Sequence, residues 1–357
     1  MLYHLLFPLQ DQYPALNVFR YITFRAAGAA LTALVLCLLF GPMAIRTLRR
    51  LAVGQSIREE GPESHREKAG TPTMGGVLIL FALTVPTLLW ARLDDAYVWV
   101  AVLATLAFGA IGFADDWLKV RRRTNKGLSA RAKLLLQCVV ALAVGGALYR
   151  LPIASTLALP FFKELVYDLG PFYLLLVLVV LVGSSNAVNL TDGLDGLAIG
   201  ATLIAAATYS IFTYIAGHRV AAEYLQVAYV PGAGEAAIFC SALVGASLGF
   251  LWWNSHPAEV FMGDVGSLAI GGAIGTVALL AKQEVILVLV GGLFVLEAMS
   301  VILQVASFKL RGKRIFRMAP LHHHFELAGW KEPQIIVRFW ILAILFALLS
   351  LSTLKLR

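Results

Sequence analysis

The chain has 357 residues, of which 59% are hydrophobic and only 14% are charged, whereas soluble domains carry about 25% charged residues. This composition excludes an ordinary soluble protein and predicts an all-α integral membrane protein without a large soluble domain. The net charge of +8 is typical of basic loops on the cytoplasmic side of a membrane, so we do not expect a nucleic-acid partner.

Ten apolar runs are long enough, or nearly so, to cross the hydrocarbon core as helices of about 20 residues. The runs at 134–149 and 339–354 reach span length only if flanking cations extend toward the membrane surface. Residues 1–357 are thus predicted to form a single membrane domain. In chain order the predicted spans are 26–45, 73–91, 96–114, 134–149, 169–187, 198–217, 236–253, 265–281, 285–308 and 339–354.

Lysine and arginine are concentrated in loops that follow odd-numbered spans. Segments 46–68, 117–133 and 309–331 contain 19 of the 29. The positive-inside rule predicts that these loops are cytoplasmic and that both termini are periplasmic, in a bacterial inner membrane. Loops 187–197 and 254–264 fall on the same face but carry carboxylates. Acidic and basic groups that share one face indicate a site for a metal and a phosphorylated ligand.

The first polar motif is GPESHREKAGTPTMGG at 61–76, which contains Lys68, Thr73 and a glycine pair before the second span. A glycine-rich backbone at a helix N-terminus can bind phosphate through free N–H groups, and a nearby lysine adds positive charge. The alternative is a turn that only caps the helix.

The second motif, FADDWLKVRRRTNKGLSARAK at 113–133, combines Asp115 and Asp116 with seven cations. Adjacent helical residues point about 100° apart, so we expect one carboxylate to face a ligand and the other to be held by Lys119 or an arginine. A solvated helix end is the alternative, but acidic residues at the membrane end of a span are costly unless they have partners.

The third motif is NAVNLTDGLDGLA at 186–198. If it is helical, Asn186, Asn189, Asp192 and Asp195 lie at i, i+3 spacing on one face. Oxygen-bearing side chains in a row suit Mg²⁺ or a nucleotide. A simple Asp/Gly turn would explain the glycines but not the asparagines.

The fourth motif is NSHPAEVFMGDVGS at 254–267, where Asp264 lies between Gly263 and Gly266. Small neighbours let a phosphate or metal approach this carboxylate closely. A helix N-cap is the alternative role.

The fifth motif is MAPLHHHFE at 318–326. Its consecutive histidines suggest either a transition metal or hydrogen bonds to a phosphate or sugar, but neighbouring side chains diverge and no cysteine supports a metal. Glu297, within the ninth span, is interpreted as a neutral, hydrogen-bonded structural residue.

Five segments, taken in order, resemble the MraY family of phospho-N-acetylmuramoyl-pentapeptide transferases: GPESH, GTPTMGG, NLTDGLDGLA, FMGDVGS and MAPLHHHFE. This family is a branch of the polyprenyl-phosphate N-acetylhexosamine-1-phosphate transferases. The resemblance runs from about residue 20 to the C-terminus. It implies a Mg²⁺-dependent, usually dimeric membrane enzyme with a cytoplasmic active site. Such an enzyme moves phospho-N-acetylmuramoyl-pentapeptide from UDP-MurNAc-pentapeptide to undecaprenyl phosphate, giving lipid I and UMP.

By motif matching, the resemblance implies that Asp115, Asp116 and Asp264 are catalytic, with Asp264 as the Mg²⁺ ligand. It places Lys68, Asn189, Asp192, Asp195 and Asn254 at the nucleotide and phosphate site, and His323 and His324 in the histidine motif. From their charge or position, Lys119, Lys133 and Thr73 are further candidates for substrate binding.

Two other functions are compatible with parts of the sequence. A sister transferase that uses UDP-N-acetylglucosamine would share the acidic motifs but should differ in the histidine loop. A transporter would need a polar pathway at the membrane midplane, for which Glu297 is the main support.

Overall fold

The protein is built almost entirely of helices. Nine described helices are long and apolar enough to cross a membrane, and Gly76–Trp90 is a shorter apolar helix. Each predicted span therefore corresponds to a helix or, for the ninth, to a broken one, and the prediction of an all-α multi-span membrane protein is confirmed. The computed structural model describes residues 1–51, 70–122, 124, 126–151, 155–159 and 166–354.

The helices include three short ones outside or between the predicted spans and a fourth within the ninth predicted span. Two short strands, β1 (Thr156–Ala158) and β2 (Val166–Asp168), pair antiparallel with Leu157 opposite Tyr167. The helices are α1 (Leu2–Leu6), α2 (Ile22–Arg50), α3 (Gly76–Trp90), α4 (Ala96–Arg122), α5 (Ala130–Tyr149), α6 (Tyr173–Thr191), α7 (Leu197–Gly217), α8 (Arg219–Leu225), α9 (Ala236–Asn254), α10 (Gly263–Leu280), α11 (Leu287–Val290), α12 (Gly292–Arg311), α13 (Leu321–Leu327) and α14 (Glu332–Ser352).

Several helices extend beyond the apolar runs that predicted them. Helix α4 continues past residue 114 to Arg122, and α14 begins at Glu332, not at 339. An apolar run marks only the part of a helix within hydrocarbon, whereas backbone hydrogen bonding continues into the charged residues beyond it. The prediction of one helix over 285–308 is wrong, because Gly291 has a ψ of 19° and separates α11 from α12.

Helix α10 is at the centre of the bundle. It packs against α3, α4, α6 and α7, and nearly all of its residues are buried. Its sequence is rich in glycine and alanine, which lets neighbouring backbones approach closely. The first turn of this central helix carries Asp264, so the surrounding helices fix the position of that carboxylate.

A buried ion pair joins helices at the end of the bundle opposite Asp264. Arg25 on α2 donates to both carboxylate oxygens of Glu235, at 2.7 and 2.6 Å, and the backbone N–H of Arg92 donates to the same carboxylate at 2.9 Å. Both charges are thereby compensated within the protein. This cluster ties α2 and the segment after α3 to the start of α9.

Candidate active site

Three carboxylates converge where α4 ends and α10 begins. Asp115 and Asp116 lie near the end of α4, Asp264 lies in the first turn of α10, and one oxygen of each falls within 4.8 Å of the others. Asp115 and Asp116 are buried and Asp264 is half-buried. Three hard oxygen ligands this close together can bind a metal ion.

The adjacent aspartates reach this cluster with different backbone partners. Asp115 accepts a hydrogen bond of 2.9 Å from the N–H of Leu128, and Asp116 accepts one of 3.1 Å from the N–H of Val265. These separate partners follow from the 100° between neighbouring helical side chains. Both lie in the metal-capable group with Asp264, so which of the two faces a ligand stays a prediction.

Two lysines compensate the negative charge of the cluster. The Nζ atom of Lys119 lies 2.6 Å from Asp115, 3.2 Å from Asp116 and 3.0 Å from Asp264. Lys133, at the start of α5, lies 2.8 Å from the same Asp264 oxygen that Lys119 contacts. An anionic ligand would therefore compete with the carboxylates for these lysines, and a metal ion would compete with the lysines for the carboxylates.

An amide completes the surroundings of Asp264. The Nδ2 group of Asn189 donates to the second Asp264 oxygen at 2.7 Å and to Ser267 at 2.8 Å. Asn189 therefore joins α6 to α10 at the cluster. Ser267, one turn after Asp264, was not identified from the sequence, and a lone serine in an apolar span carries no signal that would have identified it.

The approach of α10 to α4 depends on a glycine. A Cβ atom on Gly112 would lie 2.1 Å from the carbonyl oxygen of Asp264 and 2.4 Å from its carbonyl carbon. Those atoms are backbone and cannot rotate away as a side chain can. Gly112 is thus required for the close contact that brings Asp264 beside Asp115 and Asp116.

The GTPTMGG segment pairs with the segment before Asp264. The N–H of Phe261 donates to the carbonyl of Pro72 at 2.8 Å, and the N–H of Gly75 donates to the carbonyl of Phe261 at 2.8 Å. The Thr73 hydroxyl lies 2.9 Å from the position that a Cβ on Gly263 would occupy. Thr73 therefore borders the acidic cluster, and its contact with a substrate stays a prediction, whereas Lys68 lies outside the described residues.

The third motif is helical only in its first part. Helix α6 ends at Thr191, and Asp192 has a ψ of 56°, outside the helical range. Asn186 donates to Gln137 on α5 at 2.9 Å, whereas Asn189 donates to Asp264. The hypothesis of one helical face bearing all four polar residues is therefore wrong, because the chain turns at Asp192.

The turn after α6 holds Asp192 close to the other carboxylates. Burial, and then the negative charges of Asp264, Asp116 and Asp195, raise the pKa of Asp192 to about 8. Both causes favour the neutral form of this carboxyl, which can donate a hydrogen bond.

Asp195 belongs to a second group of titratable side chains. Its carboxylate lies 3.2 Å from His256 and accepts the N–H of Ala258 at 3.1 Å, while its own N–H donates to Glu332 at 3.0 Å. This group of Asp195, His256 and Glu332 is also compact enough to hold a metal ion. His256 and Glu332 lie far from Asp195 in the chain, so no sequence pattern predicted that these side chains would meet.

Asn254 connects two loops by backbone contacts. Its side-chain Oδ1 accepts the N–H of Gly196 at 3.0 Å, and its Nδ2 group donates to the backbone carbonyl of Val260 at 2.8 Å. The side chain is buried. In this structure Asn254 fixes the loops before and after it, and its contact with a nucleotide remains a prediction.

The histidines of the fifth motif have separate surroundings. His323 pairs with Glu326 at 2.7 Å, and His324 accepts the N–H of Arg317 at 3.1 Å. His322, which was not singled out in the sequence, is fully buried and lies 3.2 Å from Glu297. The metal-capable groups among the described residues contain none of these three histidines. The interpretation of Glu297 as a hydrogen-bonded residue is confirmed.

Comparison with known proteins agrees with this geometry. The model of glycosyl transferase family 4 matches residues 98–282, and signature 1 of the phospho-N-acetylmuramoyl-pentapeptide-transferases matches residues 68–80. Curated proteins named phospho-N-acetylmuramoyl-pentapeptide-transferase are similar over the full length of both chains. They include those of Desulfatibacillum aliphaticivorans (61% identical), Citrifermentans bemidjiense (59%) and Syntrophus aciditrophicus (58%).

These similarities extend well beyond the acidic motifs that related transferases share. The relatives are bacterial, and the apolar helices identify a multi-pass protein of the bacterial inner membrane. The matched signature covers the described GTPTMGG segment, which borders the acidic cluster. With identity of 58–61% over all of both chains, the protein belongs to the phospho-N-acetylmuramoyl-pentapeptide-transferase family, within glycosyl transferase family 4.

Proposed function

We propose that the protein transfers phospho-N-acetylmuramoyl-pentapeptide from UDP-MurNAc-pentapeptide to undecaprenyl phosphate, forming lipid I and releasing UMP. The observation that carries this proposal is the convergence of Asp115, Asp116 and Asp264 with two lysines at one end of the bundle. A site at the end of membrane helices suits a reaction between a soluble nucleotide sugar and a lipid phosphate. The full-length relatives favour the muramoyl-pentapeptide donor.

Charge neutralisation is the main task of such a site. Two unit negative charges at 4 Å repel each other by about 4 kcal/mol at an effective dielectric constant of 20. Lys119 and Lys133 already lie at the cluster, and their Nζ atoms can contact phosphate oxygens in place of Asp264. We propose that Lys68 adds a third positive charge from the segment before α3.

The acidic cluster fits Mg²⁺, the cofactor that we propose. Its donors are carboxylate oxygens from three side chains, the ligand type that Mg²⁺ prefers. Asp264 is the proposed ligand, with an oxygen of Asp115 or Asp116 near enough to share the ion. When bound, the ion would neutralise the donor pyrophosphate and stabilise UMP as the leaving group.

The lipid phosphate needs little activation as a nucleophile. The second pKa of a phosphate monoester is about 6, so most of the acceptor is dianionic at neutral pH. We propose that an oxygen of this phosphate attacks the sugar-linked phosphorus of the donor, while the bond from that phosphorus to the oxygen of UMP breaks. Asp115 or Asp116 positions the acceptor and removes a proton when one is present.

The remaining polar residues are proposed to bind the donor. Asn189 donates a hydrogen bond to Asp264, and Asp192 and Asp195 lie on the turn that follows α6. We propose that they, with Thr73, Asn254, His323 and His324, contact the nucleotide, phosphates or sugar. We also propose that the enzyme is a homodimer, as the family resemblance implies. Light scattering in detergent measures the mass of the protein and so distinguishes a dimer from a monomer.

A transfer assay with matched donors tests the function. Purified protein in detergent receives undecaprenyl phosphate, Mg²⁺ and either UDP-MurNAc-pentapeptide or UDP-N-acetylglucosamine. We expect stoichiometric lipid product and UMP with the first donor only. Transfer from UDP-N-acetylglucosamine alone would identify a sister transferase, and the absence of transfer from both donors would contradict the proposal.

A further inference from the structure

Among the described residues, the most buried histidine faces a glycine of the turn that follows α6. His322 on α13 has no exposed surface, and its Nε2 atom has no hydrogen-bond partner among the described residues. A Cβ atom on Gly193 would lie 2.2 Å from this Nε2. The imidazole ring therefore occupies the space that any side chain at position 193 would need.

The other side of the same ring is held by an intramembrane carboxylate. Glu297 on α12 has no exposed surface and lies 3.2 Å from Nδ1 of His322. It also accepts backbone N–H groups of Leu321 at 2.7 Å and His322 at 3.3 Å, which are the first residues of α13. One carboxylate thus fixes both the start of α13 and the orientation of the ring.

The backbone at Gly193 does not itself demand glycine. Gly193 is not among the residues with positive φ, whereas Gly196 in the same turn has a φ of 76°. The ring of His322 is therefore the obstacle to a side chain at this position. Gly193 also follows Asp192 directly and precedes Asp195 by two residues, so a displacement here moves both carboxylates.

We infer that Glu297 and His322 are positioning residues that fix the distance between the 192–195 turn and the acidic cluster. Glu297 orients the ring, and the ring supports the turn at Gly193, so α12 and α13 determine where Asp192 and Asp195 meet the donor. This inference rests on the proposed function, because it assigns those two aspartates to donor binding. His322 is completely buried and acts on the donor site through the turn at Gly193.

A double-mutant cycle between the ring and the glycine tests the inference. Gly193→Ala, His322→Ala and the double variant are compared in calorimetric titrations with UDP-MurNAc-pentapeptide, a measurement that does not require turnover. We expect Gly193→Ala to weaken donor binding by about tenfold in the wild type but by less than about twofold when His322 is already alanine, because the clash is then absent. Gly146→Ala is the matched control and should bind normally, because beyond its chain neighbours and its own helix backbone no described atom lies within 4 Å of the new Cβ.

Glu297 is tested by conservative replacement. Glu297→Gln keeps one oxygen acceptor for the N–H groups of α13, so its loss of donor affinity should be smaller than that of Glu297→Ala. The KM for undecaprenyl phosphate should stay unchanged in both, since the turn is assigned to the donor. Glu223→Gln, at an exposed glutamate paired with Arg219, provides the control.

The outcomes separate this inference from the proposed function. Equal losses from Gly193→Ala in both His322 backgrounds would overturn the positioning role. If Gly193→Ala fails to fold, recovery of folding in the double variant supports the inference, and failure in both backgrounds overturns it. Absence of donor transfer by the wild-type protein would instead contradict the proposed function.

Discussion

Replacing Gly112 by alanine tests whether the approach of α10 to α4 builds the active site. The new Cβ would lie 2.1 Å from the carbonyl oxygen of Asp264, whereas ordinary van der Waals contacts of a Cβ atom are 3.4–4 Å. The first turn of α10 must therefore move by about 1 Å relative to α4. A misplacement of about 1 Å at a catalytic group can reduce the rate by about 100-fold.

The assay measures lipid I formation and thermal stability in the same detergent preparation. We expect kcat to fall by about 100-fold in Gly112→Ala. The matched control is Gly146→Ala, in α5, where the added methyl meets open space and helix propensity improves by about 1 kcal/mol. A folded Gly112→Ala protein with turnover within about twofold of the wild type would refute the role of close backbone contact.

Three other predictions concern the metal, the route and the topology. Asp264→Asn should reduce both Mg²⁺ binding and lipid I formation by at least about 100-fold. Asp94→Asn, at an exposed carboxylate, is the control and should leave both intact. Equal turnover in the two variants would show that Asp264 is not part of the site. Enzyme mixed with donor and Mg²⁺ but no acceptor should release no burst of UMP, and one UMP per site would establish an aspartate nucleophile. The orientation is tested in a background without native cysteines. Lys313→Cys should react only with thiol reagents that enter the cytoplasm, and Val220→Cys should react with thiol reagents confined to the periplasm. The reverse pattern would contradict the predicted orientation.

The sequence by itself was sufficient for the fold class and for the chemistry-bearing segments. Apolar runs of span length predict membrane helices because hydrocarbon demands both apolar side chains and internal backbone hydrogen bonds. Asp115 and Asp116 stood out because carboxylates at the ends of such spans are costly without a partner, and Asp264 stood out because its glycine neighbours let a ligand approach. The structure places these residues together at one end of the bundle, as the alternation of spans predicted.

Local pattern was a poor guide where a helix ends or breaks. The i, i+3 spacing from Asn186 to Asp195 suggested one helical face, but the chain turns at Asp192. The hydrophobicity of 285–308 suggested one helix, but the break at Gly291 leaves composition unchanged. Hydropathy measures the preference of side chains for lipid and contains little information about backbone dihedral angles.

Only the tertiary structure decided which polar residues act on one another. Two groups of contacting residues show this. Their members lie far apart in the chain, and no spacing rule connects them: one group is Glu297 with His322, and the other is Asp195 with His256 and Glu332. Gly112 and Gly193 are ordinary glycines in the sequence, and their importance follows from what lies beside them, a backbone carbonyl and a buried imidazole. Sequence patterns indicate whether each side chain prefers lipid or water, whereas the packing of the helices determines which residues become neighbours.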